Sequence, residues 1–337
     1  MKFILIVFLN LLLISNVFGE TKTKITSQCT EGNCIDGKGK KVFNNRTVYE
    51  GKFKDAKYHG KGKITFKSGT VAEGEFNNSF FEYGKITYAN GNIYEGGYQK
   101  GKKHGQGRYT FANGNIYEGE YKENKAHGQG KFTWADGEAY EGGYKEGKMH
   151  GQGKYTLVNG NIHEGEYKNG FRHGQGKYTF ANGDIYEGEY KKAFRHGQGK
   201  LTWADGDVYE GEFQKDKFHG QGKLTFADGS IYEGGYKEGN KHGKGKYTWA
   251  DGTVKSGEWE NDKQVTFANI DPKKYWEGAI NCYRFTDNPN KKEMKTNVAA
   301  LAQRVENYKK YKYDAESIIT KSIMIVEYLG CTKDLFK

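Results

Sequence analysis

The chain has 337 residues, including 49 glycines and only two prolines, and 15% of its residues are aromatic. Its formal net charge is +11, but residues 49 to 264 contain 33 Lys and Arg against 30 Asp and Glu, so the excess lies near the two ends. A surface that follows nucleic-acid phosphates needs unopposed cations, and we therefore expect no nucleic-acid partner.

A repeat of 23 residues organises most of the chain. Its register is marked by the glycine that follows Tyr-Glu or the counterpart of that dipeptide. This glycine recurs at Gly51, Gly74, Gly96, Gly119, Gly142, Gly165, Gly188, Gly211, Gly234 and Gly257, with a spacing of 22 only between the second and the third. A fixed period in this range is typical of stacked units rather than of one closed core.

Each repeat is predicted to be one β-hairpin. Residues 177–180 and 185–191 alternate apolar and polar side chains, and the loop signal Ala-Asn-Gly separates them. A three-residue loop places Tyr178 opposite Tyr186, and it requires a positive φ at Gly183. A two-residue Asn-Gly loop would shift the pairing by one residue and mix the aromatic face with the polar face. We therefore favour the three-residue loop.

The repeated elements Tyr-Glu-Gly-Glu-Tyr-Lys, His-Gly-Gln-Gly and Asn-Gly-Asp resemble the MORN repeat (membrane occupation and recognition nexus) over residues 37 to 265. This resemblance implies an elongated β-sheet that binds proteins or, in some members, membranes, and it does not imply an enzyme. The fold class that we predict is an all-β repeat: an elongated single-layer antiparallel meander of MORN β-hairpins, with a small C-terminal α-helical hairpin. About ten repeats are expected over residues 49–265.

The N-terminus carries an export signal. Lys2 is followed by an apolar run from Phe3 to Ile14 and then by small and polar residues up to Gly19. This pattern predicts a secretory signal peptide over residues 1–19, and an uncleaved anchor is the alternative. The apolar run is shorter than the roughly 20 residues that span a bilayer. We expect an exported protein, located in the periplasm, at the cell surface or outside the cell.

Two cysteines lie in residues 20–48, a segment predicted to form an N-terminal cap from half a repeat. Because exported proteins meet oxidising conditions, we predict a disulfide between Cys29 and Cys34. Free or metal-binding thiols are the alternative, although two such ligands would lack the other members of a zinc site.

The second repeat departs from the pattern. The glycine-rich His-Gly-Gln-Gly segment is predicted to belong to the connection between hairpins. In the second repeat Ala72 replaces the usual tyrosine, and the run from Phe80 to Gly84 replaces this connection with one residue deleted. One interpretation is a tolerated irregularity of the sheet. The other is a partner-binding site at Phe80 and Phe81, because exposed apolar side chains often mark interfaces. His163, in an aromatic position of a later repeat, is interpreted as ordinary drift.

Residues 266–337 are predicted to form a C-terminal helical cap or docking module. Apolar residues from Met294 to Tyr308 follow helical spacing, and a second helix is expected between Ile318 and Leu329. Two antiparallel helices would bring their outer ends together, which predicts a second disulfide, between Cys282 and Cys331.

No constellation in the sequence predicts catalysis, a cofactor or a metal site. Eight histidines precede a glycine at the same repeat position, so they would lie about 10 Å apart, too far for shared zinc bonds. No glycine-rich phosphate-binding motif is present, and the carboxylates recur in every repeat, whereas a catalytic pair is expected to be singular.

Tyrosines at one repeat position form the most plausible binding surface. They are Tyr94, Tyr117, Tyr140, Tyr186, Tyr209 and Tyr232. Most of these rings are expected to pack on one another, and the remainder would suit a peptide or a glycan. The function we predict is a non-enzymatic exported scaffold that binds proteins. The alternatives are a membrane-surface phospholipid binder, favoured by an unpaired basic patch beside exposed aromatics, and an extracellular glycan binder.

Overall fold

The computed structural model describes residues 26–265 and, beyond them, residues 277, 279–281, 283 and 298. Of these, the residues up to His219 together with Leu224–Asp228 form one compact unit. Gly220–Lys223 and the described residues from Gly229 onward form a second compact unit. The predicted signal peptide and most of the predicted C-terminal module, including the Cys282–Cys331 disulfide, lie outside the described residues.

The described part of the chain contains 22 strands. In chain order they are β1 (Ser27–Gly32), β2 (Gly37–Phe43), β3 (Val48–Lys54), β4 (Lys57–Thr65), β5 (Val71–Asn77), β6 (Phe80–Thr87), β7 (Ile93–Gln99), β8 (Lys102–Thr110), β9 (Ile116–Lys122), β10 (Lys125–Thr133), β11 (Ala139–Lys145), β12 (Lys148–Thr156), β13 (Ile162–Lys168), β14 (Phe171–Thr179), β15 (Ile185–Lys191), β16 (Phe194–Thr202), β17 (Val208–Gln214), β18 (Lys217–Thr225), β19 (Ile231–Lys237), β20 (Asn240–Thr248), β21 (Val254–Glu260) and β22 (Lys263–Gln264).

In the first unit, each strand from β1 to β16 pairs antiparallel with the next strand of the chain. In the second unit, β19 to β22 pair in the same consecutive way. The predicted all-β antiparallel meander is confirmed. Helical conformation is described at residues 277, 279–281, 283 and 298, and the last of these falls in the first predicted helix.

The predicted hairpin register is also confirmed. In the β14–β15 hairpin Tyr178 lies opposite Tyr186 and Lys177 lies opposite Glu187. The backbone N–H of Gly183, which has φ 95°, donates to the carbonyl of Phe180 over 3.0 Å. This closes the three-residue loop, with the glycine in the conformation that it alone adopts without strain.

The connection between consecutive hairpins is shorter than the sequence suggested. Asn169 and Gly170, with φ of 54° and 88°, form a two-residue turn between the paired residues Lys168 and Phe171. Positive φ at both positions is the signature of a type I′ turn, whose twist matches that of the strands. The following His-Gly-Gln-Gly segment therefore lies inside β14 rather than in the connection, where Gly174 supplies a bulge at φ 60°.

Loops and turns lie at opposite edges, and hydrogen bonds link neighbouring repeats along each. At the edge formed by the three-residue loops, Oδ1 of Asn161 accepts the backbone N–H of Ala181 over 2.8 Å. At the other edge, which we call the turn edge and which carries the two-residue turns, the N–H of Ala193 donates to the carbonyl of Arg172 over 2.9 Å. These bonds position each repeat against the next without help from the sheet interior.

The predicted Cys29–Cys34 disulfide is present, with 6.0 Å between the two Cα atoms. Cys34 is buried against Tyr49 and two phenylalanines of the first repeats. The bond therefore anchors β1 and its loop to the start of the aromatic core. No helix among the described residues is long and apolar enough to cross a bilayer.

Candidate interaction surfaces

The tyrosines that begin the Tyr-Glu-Gly motif form the centre of the core. We call them the first-row tyrosines: Tyr49, Tyr94, Tyr117, Tyr140, Tyr186, Tyr209 and Tyr232. In one of them, Tyr186, the hydroxyl donates to the carbonyl of Glu189 over 2.9 Å. A Cβ on either Gly188 or Gly199 would lie 2.6 Å from that hydroxyl. The ring thus lies over a glycine pair, which explains why both motifs place glycine there.

A second row of rings separates the first-row tyrosines. The ring of Tyr186 meets those of Tyr190 and Phe213 edge-on, at centroid distances of 5.2 and 5.0 Å. Such edge-to-face pairs add about 0.5–1.5 kcal/mol each beyond the burial of area. The same arrangement recurs around Tyr94, Tyr117 and Tyr140.

The six tyrosines predicted to bind a partner are all first-row residues, and their exposed fraction is 0–3%. Burial raises the pKa of Tyr232 to about 12, so the hydroxyl is a neutral hydrogen-bond donor at any physiological pH. In the folded protein these rings are core. Their role in binding remains a prediction, and it would need the core to open.

The second residue after each two-residue turn lies between the rings, and its identity varies from repeat to repeat. Tyr58 stacks on Tyr49 with the centroids 3.7 Å apart. Lys103 instead places its ammonium 3.9 Å from the centroid of Tyr109. Burial lowers the pKa of Lys103 to about 7, while the electron-rich ring faces favour its charged form. Arg172, Arg195 and Lys241 occupy the same position over other rings.

His163 takes the place of a first-row tyrosine and is 1% exposed. Its Nδ1 lies 2.8 Å from the hydroxyl of Tyr167, and its buried Nε2 has no hydrogen-bond partner. Burial, with a smaller contribution from the charge of Arg172, lowers the pKa of His163 to about 3. The imidazole is therefore neutral, and one of its two nitrogens lacks a hydrogen-bond partner. This was not predicted from the sequence, where His163 was interpreted as ordinary drift.

In the irregular second repeat, another aromatic residue takes over the packing role of the missing tyrosine. A Cβ on Gly74 or Gly84 would lie 2.9 or 3.0 Å from the ring of Phe81. Phe81 thus covers the glycine pair that a tyrosine would cover if Ala72 were one. Its neighbour Phe80, the other predicted binding residue of this repeat, is 63% exposed.

The opposite face of the sheet is polar and carries ion pairs across the strands. Lys177 and Glu187 lie 3.2 Å apart, as the predicted register requires. Equivalent pairs include Arg108 with Glu118 and Lys200 with Glu210. All of them are exposed, and each such cross-strand pair contributes roughly 0.2–1 kcal/mol.

The turn edge differs from one repeat to the next. In some repeats, the lysine after one turn forms an ion pair with the acidic residue that begins the next turn: Lys102 with Glu123 at 3.4 Å, and Lys125 with Glu146. Phenylalanine takes the lysine position in the second repeat, at Phe80, and in two adjacent repeats, at Phe171 and Phe194, which are 48% and 40% exposed. Neither Phe171 nor Phe194 was predicted as a site residue from the sequence, although alignment of the repeats identifies both as departures.

The described residues show no metal-binding geometry. They contain no cluster of His, Cys, Asp and Glu that could hold a metal ion. A depression of about 560 Å³ on the polar face of the second unit is lined by glycines and by side chains of both charges, among them Lys246 and Glu258. Ser256 also lines this depression, opposite Lys246 in the pairing of β20 with β21.

Several solved structures are similar to this chain at low sequence identity. The TCP10 domain of Danio rerio CPAP in complex with a peptide of STIL is 13% identical, with 72% of this chain and 98% of that chain covered and a TM-score of 0.25. The same domain alone is 14% identical, with 65% and 98% covered and a TM-score of 0.33. Virginiamycin B lyase from Staphylococcus aureus is 11% identical, with 70% and 89% covered and a TM-score of 0.13. Likeness at this level carries no argument about function.

Family membership follows from the repeats themselves. A comparison with curated proteins found no match. A family model described as the MORN repeat matches residues 49–71, 73–93, 94–116, 117–139, 140–162, 163–185, 186–208, 209–231 and 232–254. These nine consecutive matches cover more than half of the chain, and each spans two successive strands joined by a two-residue turn. The chain belongs to the MORN-repeat family.

Proposed function

We propose that the protein is an exported, non-enzymatic scaffold that binds another protein through the outer surface of its hairpins. MORN repeats are modules of protein or membrane interaction, and a β-meander of this kind is typical of non-catalytic proteins. The observation that carries the proposal is that the aromatic face of the sheet is used for packing, whereas the polar face is exposed. The first-row tyrosines are used up in packing, so contact with a partner falls to the polar face and the edges.

The charge of the polar face supports a protein partner over an anionic membrane. Lysines and glutamates alternate across the strands and form pairs such as Lys154 with Glu164 at 3.0 Å. A membrane surface attracts a protein through unopposed Lys and Arg, at about 1 kcal/mol each. A face of matched charges offers little of that attraction, whereas it can complement the mixed polar surface of another protein.

Phospholipid binding is the second candidate, and one observation favours it. Phe171 and Phe194 are exposed beside lysines at the turn edge, and aromatic and basic side chains together are what membrane-surface proteins use. Cosedimentation of residues 20–337 with vesicles of phosphatidylcholine, with and without phosphatidylserine, separates the two candidates. No binding at low salt supports the scaffold, and binding that survives physiological salt would make the membrane the primary ligand.

Export is tested separately. Residues 1–19 have the basic start, apolar centre and small-residue end of a signal peptide. We expect the protein recovered from its native source to begin near Glu20, outside the cytoplasm and with the Cys29–Cys34 disulfide formed. An intact N-terminus on a cytoplasmic protein would refute the export part of the proposal.

A further inference from the structure

In two adjacent repeats, both residues of the turn-edge ion pair are replaced by residues of other types. The position that holds the lysine of this pair in β8 and β10 holds Phe171 in β14 and Phe194 in β16. The acidic residue 21 positions later is replaced at the same time, by Lys192 and Lys215. Each exchange turns a neutral pair of opposite charges into an exposed ring next to a lysine.

No acid among the described residues restores the balance. Lys192 and Lys215 form no ion pair with a described residue, in contrast to Lys102 and Lys125. The acids on the adjoining strands are engaged elsewhere: Oε1 of Glu189 accepts the backbone N–H of Gln198 over 2.9 Å. Asp216 accepts bonds from the backbone N–H and the Nε of Arg195, at 2.9 and 3.3 Å.

The two phenylalanines have a defined spacing. Phe171 and Phe194 begin β14 and β16, which flank β15, and the N–H of Ala193 bonded to the carbonyl of Arg172 aligns their turns. Two strand spacings of about 4.8 Å put the equivalent positions roughly 10 Å apart. Neither ring stacks on a described aromatic side chain, and about half of each remains exposed.

We propose that this Phe–Lys patch, made of Phe171, Phe194, Lys192 and Lys215, docks an acidic amphipathic helix of a partner protein. Apolar residues seven apart on a helix lie about 10.5 Å apart on nearly the same face, which matches the spacing of the two rings. On an extended segment, same-face residues lie about 6.7 or 13 Å apart, which does not. The unpaired lysines supply the complement to acidic residues beside the apolar stripe. The inference rests on the proposed function, because it names the partner class of a protein scaffold.

A membrane fits the patch less well than a helix does. The two rings are only half exposed, so the apolar surface that they could insert into a bilayer is small. The same turn edge carries the ion-paired Glu146 and Glu123 one and two repeats before the turn of Phe171, and such neutral pairs give an anionic bilayer extending along the edge no net attraction. A helix that contacts two turns avoids these acids.

The test uses residues 20–337 and a synthetic peptide of about three heptads, with leucine at every seventh position and glutamates around it. Two peptides of related composition serve as comparisons: one with the leucines spread around the helix, and one with lysine in place of glutamate. Binding is measured by fluorescence anisotropy for the parent protein, F171K/F194K, K192E/K215E and the matched control F80K. F80K makes the same chemical change at the same repeat position outside the patch.

We expect the heptad peptide to bind the parent protein at least about tenfold more tightly than either comparison peptide. F171K/F194K and K192E/K215E should each weaken binding about tenfold or more, and F80K should stay within about twofold of the parent. Equal binding of the three peptides, or full binding by F171K/F194K, would overturn the proposal. Vesicle binding lost in F171K/F194K would assign the patch to phospholipid and overturn it as well.

This result can be separated from the fate of the proposed function. Photocrosslinking of the parent protein and of F171K/F194K at the envelope or cell surface tests whether protein neighbours persist. Crosslinks retained by the variant, together with failure of the peptide assay, would leave the scaffold function standing and remove only the helix-docking patch.

Discussion

The aromatic face and the turn edge both depart from the repeat pattern, but only the aromatic face compensates for its departures. When Ala72 leaves the glycine pair of the second repeat uncovered, the ring of Phe81 covers it. When Phe171 replaces a lysine at the turn edge, Lys192 replaces the acid, so the exchange exposes an apolar ring and leaves a charge unopposed. A close-packed interior penalises every void, whereas solvent tolerates a change of side chain.

This difference shows where selection for binding can act. On the aromatic face a change must first satisfy packing, as the rings around His163 illustrate. On the turn edge a change has almost no folding cost, so residues there can be chosen for a partner. Four predictions test the contrast.

The largest effect is expected inside the aromatic face. Tyr186→Ala removes a fully buried ring and its hydrogen bond, and should lower the free energy of unfolding by about 3–5 kcal/mol. Tyr186→Phe keeps the ring and loses only the hydroxyl bond, at about 0.5–1.5 kcal/mol. Urea unfolding followed by circular dichroism measures both, and a Tyr186→Ala cost below that of Tyr186→Phe would contradict the assignment of the ring to the core.

The second effect depends on pH and sharpens the view of His163 as an imperfect member of the core. Its pKa is about 3 in the folded protein against 6.5 in the unfolded chain, so the unfolded state alone binds the proton between these values. Stability should fall as the pH decreases below 6.5, by up to about 1.4 kcal/mol per pH unit until about pH 3. At pH 5 this amounts to about 2 kcal/mol.

His163→Tyr provides the control for this pH effect. A tyrosine can donate to the carbonyl of Glu166 as the other first-row hydroxyls do, and it does not titrate in this range. The difference in unfolding midpoint between this variant and the parent protein should therefore grow from pH 7.5 to pH 5. A constant difference would show that His163 is not buried in the neutral form.

The third effect concerns the polar face. Glu187→Ala removes the partner of Lys177 from an exposed cross-strand pair and should cost roughly 0.2–1 kcal/mol, less at high salt. Unfolding midpoints at low and high salt measure it. A cost in the range of Tyr186→Ala would mean that the polar face, too, is part of the structural core.

The smallest effect is expected at the turn edge. F171K/F194K restores the residue type found in the regular repeats, and it should change the free energy of unfolding by no more than about 0.5 kcal/mol. Thermal unfolding of the variant beside the parent protein checks this. A large loss would show that the two rings stabilise the fold, and the contrast between the two regions would fail.

Much of the fold could be predicted from local sequence. The hairpin register, with Tyr178 opposite Tyr186, follows from a three-residue loop and the two-residue period of strands. The Cys29–Cys34 disulfide could be predicted from two close cysteines in a chain with a predicted export signal. These features depend on residues that are close together in the sequence, so the sequence alone was enough to predict them.

The candidate surfaces were harder to predict, because they depend on contacts between repeats. The sequence predicted that the tyrosines share one face of the sheet, but it did not predict how deeply their rings are buried. Burial depends on which side chain of the next repeat fills the space beside each ring, as Phe81 and Lys103 show. The His-Gly-Gln-Gly segment was predicted to form a connection because its glycines are typical of turns. In the structure its strand pairs with a neighbour on each side, so the segment lies within a strand.

The sequence by itself determined the repeat, the hairpin and the alternation of aromatic and polar faces, because a period of two and a turn of fixed length need only local chemistry. Only the tertiary structure decided that the tyrosines are core, that His163 is an unsatisfied member of it, and that Phe171 and Phe194 stand beside unpaired lysines. These properties arise where residues about 21 positions apart in the sequence lie next to each other across the strands, and no local sequence pattern predicts which of them do so.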